Sequence, residues 1–314
     1  MLYAACWSRK HSEPHQVKHS LLLVTDGLIS NQGGLTLHPD LFLWQRLLDK
    51  RKQQWFDCPT KNPLAMYAAL LNVEPATLLA SKLSSQGKNQ YWVASPYYAQ
   101  LARDSVRVMS EGMLPWCAED AIWACELLNP LLAEDGMQLH RIGAALLLVC
   151  NKPLDAKLMS FADIAGNFLP NRHPSGVDGG SFMRLMAEVQ MMLKQSPAAH
   201  RRERGELDVH GLWFWGGSEP DCIEALANKS VATRNPFLQS VVDAQNANII
   251  VTEAERLAEL IKQDSVLPKR VVLLGEGYAV SLKKSLLAGF GTKAWLPRDI
   301  KSEADLLGHL KRQF

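Results

Sequence analysis

The chain has 314 residues, 47% of them hydrophobic and 21% charged, with a formal net charge of +2. That is enough length for one large domain or two ordinary ones at roughly 100–200 residues each, and enough apolar content for a sizeable core. The near-neutral balance argues against bulk nucleic-acid binding or adhesion to an anionic membrane, and apolar runs such as Ala144–Cys150 are too short to cross a bilayer as a helix.

The six cysteines, Cys6, Cys58, Cys117, Cys125, Cys150 and Cys222, form no CxxC pair and no cluster with histidine at zinc spacing. They read as reduced, mostly buried thiols, which together with an N-terminus lacking a basic start and an apolar stretch gives the expectation of a cytoplasmic protein. Residues 1–19 read as a flexible segment. His11, His15 and His19 recur every four residues there, but Pro14 opposes the continuous helix that would align them.

Ser20–Thr25 is predicted as a buried strand closed by Asp26-Gly27. Asp40–Lys52 places apolar residues at 41, 43, 44, 47 and 48, which predicts an amphipathic helix behind Pro39. Helical patterns continue over 63–71 and 75–84, divided at Glu74-Pro75. Gln90–Ala94 and Ser105–Met109 read as strands. Ala118–Ala133 reads as a helix with a break or kink at Asn129-Pro130. Met137–Arg141 and Ala144–Cys150 then form a hairpin about Ile142-Gly143, which makes residues 20–150 an α+β region. Residues 151–180, rich in Pro, Gly, Asn and Asp, read as a loop or linker. Ser181–Gln195 is a methionine-rich helix and Leu212–Trp215 an aromatic strand. Pro236–Ala244, Ile249–Val251, Glu253–Gln263, Arg270–Leu274, Val280–Leu287 and Lys293–Leu296 then alternate helix with strand, so residues 181–314 are expected to be an α/β region.

The candidate chemistry gathers between Ser196 and Ser218. Arg201, Arg202 and Arg204 precede the turn residue Gly205. Only Arg201 and Arg204 can share a helical face, being three apart. Guanidinium forks beside a glycine turn suit a phosphate or a carboxylate, which Arg grips with two bonds; the plain alternative is a solvated helix end. In Leu212-Trp213-Phe214-Trp215, Trp213 and Trp215 face one way and Leu212 and Phe214 the other. Bulk on both faces predicts an interior strand, with Gly216-Gly217 at a turn beyond it where a ligand could approach the backbone. Arg201, Arg202, Arg204, His210, Trp213, Trp215, Gly216 and Gly217 are therefore the candidate ligand-binding residues. Asp26, at a strand end, is a weak metal candidate, since Asp-Gly is also a common turn. Gly275-Glu276-Gly277 after RVVLL supplies only GxG, a weak nucleotide signal.

Several segments together resemble the bacterial RpfE-type regulatory protein family, itself related to cofactor-independent, archaeal-type phosphoglycerate mutases. They are YWVASPYYAQLARDSVRV (91–108), LNPLLAEDGMQLH (128–140), MAEVQMML (186–193), then Pro197, Arg202, Gly205 and GLWFWGG (211–217). The resemblance spans about residues 20–217. The family's His-Pro-x-Asn stands here as Ser196-Pro197-Ala198-Ala199, its Val-Asn as Val209-His210, and its third glycine as Ser218. It implies an α/β fold of mixed α+β character, a phosphoglycerate-mutase and alkaline-phosphatase-related sheet flanked by helices. The mutases add a serine nucleophile and Asp/His ligands for two metals, a set of which only Asp26 has a counterpart here. The expectation is a non-catalytic regulatory or ligand-binding protein, without cofactor, that recognises a phosphorylated or carboxylated small molecule. The alternative is a divergent metal-dependent mutase or phosphatase using Mn or Zn. A nucleic-acid partner is disfavoured by the charge, no membrane is expected, and no protein partner is readable.

Overall fold

The structure, a computed structural model, describes residues 20–312 except 32–33, 59–62, 84–88, 102, 104, 110–112, 170–173, 220–221, 244–246, 262–266, 276 and 285–294. The expected flexible segment 1–19 with its three histidines lies outside the described residues.

Strand β1 (Leu21–Val24) is buried at every position, as its unbroken apolar run predicts. A small hairpin follows, β2 (Leu28–Asn31) and β3 (Gly34–Leu37). The expected helix over Asp40–Lys52 does not form as one element. Pro39–Trp44 is a 3-10 turn, Gln45–Asp49 is a single α-turn (α1), and Arg51–Cys58 is strand β4. Leu41, Trp44 and Leu48 do turn inward, so the apolar spacing marks a buried face. It does not mark where the helix stops, because β4 takes Arg51 and Lys52 into an eight-residue ladder. Helices α2 (Leu64–Leu71) and α3 (Pro75–Ala80) sit where predicted. Asn72 ends α2 in the left-handed conformation, and Pro75 starts α3 where its missing N–H is harmless.

The middle of the chain builds a second sheet. Strand β5 (Gln90–Tyr97) leads to the short pair β6 (Ala99–Leu101) and β7 (Val106–Val108). Helix α4 (Ala118–Glu134) runs through Pro130 unbroken, and the preceding Asn129 uses its side-chain amide to bond both the N–H and the C=O of Leu139. Strands β8 (Met137–Ile142) and β9 (Ala145–Cys150) form the expected hairpin. The described residues of 151–178 are mostly irregular, with one turn of helix α5 (Phe161–Ile164), before the methionine-rich helix α6 (Gly179–Gln195), the short α7 (Ala199–Glu203) and the aromatic strand β10 (Gly211–Ser218). The last third contains β11 (Val231–Thr233), α8 (Pro236–Gln239), β12 (Ile249–Thr252), α9 (Leu257–Leu260), β13 (Arg270–Leu274), β14 (Gly277–Lys284) and α10 (Glu303–Lys311). Val280–Leu287, which takes the helical place in the predicted alternation, belongs instead to β14 as far as Lys284. It pairs antiparallel with β13, and the Gly275 N–H donates to the Tyr278 carbonyl at 3.0 Å, so the two glycines of the GxG belong to the ends of a hairpin. Trp295 and Leu296 carry no strand.

The large sheet has the order β11-β12-β1-β13-β14-β4, with the first four strands parallel. The small sheet is antiparallel, β10-β5-β9-β8. Both regions 20–150 and 181–314 contribute strands to each sheet, so the sheets do not follow that division of the chain. The large sheet is covered on both faces. Leu21, Leu23, Phe56, Val272 and Ala279 face the main core, while Leu22, Val24, Trp55, Val271 and Val280 face a second apolar cluster around Trp44 and Trp295. The result is the mixed α/β class expected from the sequence.

Two expectations for β10 are corrected. It is the edge strand of its sheet and not an interior one, although Leu212, Trp213, Phe214 and Trp215 are all buried. Cover from α3 on one hand and α6 on the other makes a hydrogen-bonding edge as apolar as a centre. The two glycines lie inside the strand, at a bulge between Trp215 and Ser218. Gly216 takes φ +60°, open to glycine at little cost, and a Cβ on Gly217 would stand 2.7 Å from the Trp92 ring. The glycines serve close packing, so Gly217→Ala should lower stability by about 1–3 kcal/mol, read as a lower urea midpoint at unchanged slope.

Candidate functional site

Placed in the structure, the three arginines separate. Arg201 is 0% exposed. Its Nε donates to the Leu207 carbonyl at 2.9 Å, and its Nη1 to the Pro115 carbonyl at 2.7 Å and to the carboxylates of Asp120 at 3.0 Å and Glu206 at 3.3 Å. Arg204, half-exposed, reaches Glu119 at 2.7 Å, Glu206 at 3.0 Å and Asp120 at 3.4 Å. The predicted shared face of 201 and 204 is real, and carboxylates of this chain occupy it. Arg202 points elsewhere, 61% exposed and 3.6 Å from Asp208.

Asp120 is the hub of this network. It caps α4 by accepting from the Cys117 N–H at 2.8 Å and also meets His200 at 2.8 Å. Burial alone would push its carboxyl up, but the Cys117 N–H, His200 and Arg201 outweigh it and hold the group at about 2. The short α7 thereby locks onto the start of α4 and fixes the entry into β10. His210 accepts from the Ala99 N–H at 3.2 Å and packs its ring on Tyr98 at 4.5 Å. Trp213 donates to the Met159 carbonyl and Trp215 to the Ser95 hydroxyl, both at 2.9 Å. These ties anchor β10 to its surroundings, and Arg201, Arg204, His210, Trp213 and Trp215 all spend polar groups on partners within this chain.

A cavity does lie where the chain's other two weak signals meet. At the carboxyl ends of β1, β12 and β13, a crevice of about 650 Å³ is lined by Thr25, Asp26, Tyr67, Asn235, Glu253 and Gly275 among others. Ligands in open α/β sheets sit at this end because the loops leaving parallel strands converge there, and β12 and β13, consecutive in the chain, flank β1 on opposite sides. Asp26 enters it from the end of β1, with its Oδ1 accepting the Ala254 N–H at 2.6 Å. The Asn235 side chain caps α8, accepting from Phe237 and Leu238. Tyr67, from α2, is only 3% exposed and its hydroxyl makes no hydrogen bond among the described residues. Burial, and then the nearby Glu253, push this phenol up to about 12, so it remains protonated. Asn235 and Tyr67 were not singled out from the sequence; nothing in NPFLQ or AMYAA distinguishes them from ordinary helix residues. Among the described residues no three His, Cys, Asp or Glu side chains come together as metal ligands.

No family model matches the sequence, and no curated protein matches it. Among solved structures, the chain is similar to the cofactor-independent phosphoglycerate mutase from Thermoplasma acidophilum DSM 1728, at 12% identity over 94% of this chain and 100% of that one, with a TM-score of 0.36. A likeness of that strength carries no inference about site or activity. No helix among the described residues is long and apolar enough to cross a membrane.

The buried ion pair gives two expected outcomes. Asp120→Ala strands the Arg201 charge and should cost about 3–5 kcal/mol, whereas Arg202→Ala should stay within about 0.5 kcal/mol; urea unfolding measures both. Because the Asp120 carboxyl lies below its unfolded value, its stabilisation is complete above about pH 4 and is lost as pH falls towards about 2. An acid titration of wild type should therefore lose stability in that window, and Asp120→Asn should flatten that part of the profile.

Proposed function

We propose that the chain is a non-catalytic ligand-binding protein of regulatory type, with a small polar molecule seated in the crevice at the carboxyl ends of β1, β12 and β13. The observation that carries the reading is Tyr67, whose ring is buried in the crevice wall and whose hydroxyl has no protein partner among the described residues and so is free to bond a ligand. The carboxylates of Asp26 and Glu253 accept hydrogen bonds, and no Lys or Arg stands among the described residues that line the crevice. That environment favours an uncharged molecule rich in hydroxyl donors. It disfavours seating there the phosphorylated or carboxylated ligand suggested by the arginines, which are themselves held by Asp120, Glu119 and Glu206.

The second reading, a divergent mutase or phosphatase, draws on Asp26 standing at a strand end inside this crevice. Asp26 spends one oxygen on the Ala254 N–H, and the described donor set does not suit manganese or zinc. No catalytic step is derived through a metal.

The test is calorimetric titration with a panel of neutral polyols and sugars. Tyr67→Phe should weaken a binding member at least tenfold while leaving the unfolding midpoint nearly unchanged, since no protein hydrogen bond is lost. Equal affinity in wild type and Tyr67→Phe would remove the reading. Stoichiometric manganese or zinc in the purified protein, with phosphatase or mutase turnover lost in Asp26→Ala, would establish the enzyme instead.

A further inference from the structure

At the far end of the same strands the chemistry reverses. Lys52 of β4, Lys283 of β14 and Arg270 of β13 are cross-strand partners, Lys52 opposite Lys283 and Lys283 opposite Arg270. Side chains alternate along a strand, and the buried neighbours fix which way these point. Phe56, Ala279 and Val272, at even steps from the three cations, all face the main core. The three therefore form one row across one face of the sheet. Like charges directly opposite one another are destabilising, so a row of three is a local cost that the fold retains.

Two further segments bring more positive charge to the row. The chain before α10 runs beside β4, with Lys301 donating its N–H to the Trp55 carbonyl at 3.1 Å and Asp57 returning one to Lys301 at 2.7 Å. This pairing sets Lys301 at the rim. Helix α10 then crosses the same face and adds His309 and Arg312. Together these residues line a cavity of about 270 Å³ with Gln54, Phe56, Ser281 and Asp305. Asp305 is the one carboxylate among the described lining residues, and it accepts from the Ser302 hydroxyl at 2.8 Å in the cap of α10. Lys52, Arg270, Lys283, Lys301 and Arg312 make no ion pair among the described residues. At the floor, Ser281 is 4% exposed and its hydroxyl lies 3.1 Å from His309 Nε2.

The titration of the groups inside agrees with a net positive field, which Lys301 and Arg312 also exert on Asp305. Burial, with Arg270, Arg312, Lys301 and Lys283 behind it, holds His309 down at about 4. Burial and the neighbouring Arg312 lower Arg270 as well. The arginine cluster at 201–204 makes the contrast: there each guanidinium meets a carboxylate, whereas here five cations surround a concave space.

We propose that this cavity is a binding site for a small, multiply charged phosphate compound, with Lys52, Lys283 and Arg270 gripping the anion from the sheet, Lys301 and Arg312 closing over it, and Ser281 offering a hydroxyl from the floor. The site is separate from the strand-end crevice. Cys58, which lines the crevice, and Lys52, which lines this cavity, stand six residues apart on β4, roughly 20 Å at about 3.3 Å per residue. A small molecule fits better than a nucleic-acid backbone because the cations gather around one concave pocket beside α10.

Inorganic pyrophosphate is the probe, titrated calorimetrically into the full chain at constant ionic strength held with chloride. Lys283 is exposed, so Lys283→Gln should fold, and the like-charge row makes its two effects opposite in sign. Without ligand the variant should melt at the same temperature as wild type or higher, and its affinity for pyrophosphate should fall at least tenfold. Lys194→Gln, a change at an exposed lysine of α6 that does not line the cavity, should leave the affinity unaltered. Failure of wild type to bind pyrophosphate would overturn the proposal, as would equal loss in both variants or equal affinity in wild type and Lys283→Gln. A single-stranded oligonucleotide that binds through Lys283 when pyrophosphate does not would overturn it in favour of a nucleic-acid backbone. These readouts do not involve Tyr67 or the polyol panel, so either site can fail without the other.

Discussion

The placement of β1 is the constraint on which both cavities depend. Its four residues pair with β12 on one edge and β13 on the other, in register from Leu21 to Val24. Their side chains divide between two apolar clusters, Leu21 and Leu23 into one, Leu22 and Val24 into the other. A strand buried on both faces and paired on both edges has no freedom to slip, because a shift of one residue would exchange the two sets of side chains. With β1 fixed, Asp26 must emerge at the carboxyl end of the sheet, between the loops that follow β12 and β13. The same pairing sets β13, and through it β14 and β4, so the cationic row at the opposite end is registered by the same interaction.

Much of this was legible as pattern. SLLLVT reads as a buried strand because nothing polar interrupts it, and the hairpin over 137–150 announces itself through its turn and two apolar runs. The helix over 181–195 follows from its spacing. Elsewhere tertiary pairing overrode local preference. RKQQWFDC has the charge and amide content of a helix end or loop; it becomes β4 because β14 offers a ladder of eight pairs and because Trp55 and Phe56 have cores to enter on opposite faces. Gly216 and Gly217 announced a turn, but their neighbours Pro75 and Trp92 come from distant segments that no local reading brings together.

The charges show why a site is harder to read than a fold. Three arginines within four residues make a conspicuous cluster in the sequence, yet Glu119, Asp120 and Glu206 neutralise two of them in space. The cations at 52, 270, 283, 301 and 312 are scattered over most of the chain, and each taken alone looks like an ordinary surface residue. Three of them meet because β4, β14 and β13 lie side by side, and two because α10 and the segment before it cross that face. Charge density along a sequence measures composition, whereas the field at a site depends on which carboxylates the fold brings within reach.

The register of β1 also has a consequence for how the chain folds as it is made. The strand is synthesised before both of its partners, Ile249–Thr252 and Arg270–Leu273, which lie more than two hundred residues downstream. The small sheet, built wholly from residues 90–218, has all its strands in hand well before then. Until β12 and β13 leave the ribosome, a fully apolar strand waits without either neighbour, in the condition that favours wrong pairing and aggregation. Closing that distance carries a loop-entropy cost early and a reward late. The large sheet is thus the slow step of assembly, and the growing chain depends on whatever shields Leu21–Val24 during the interval.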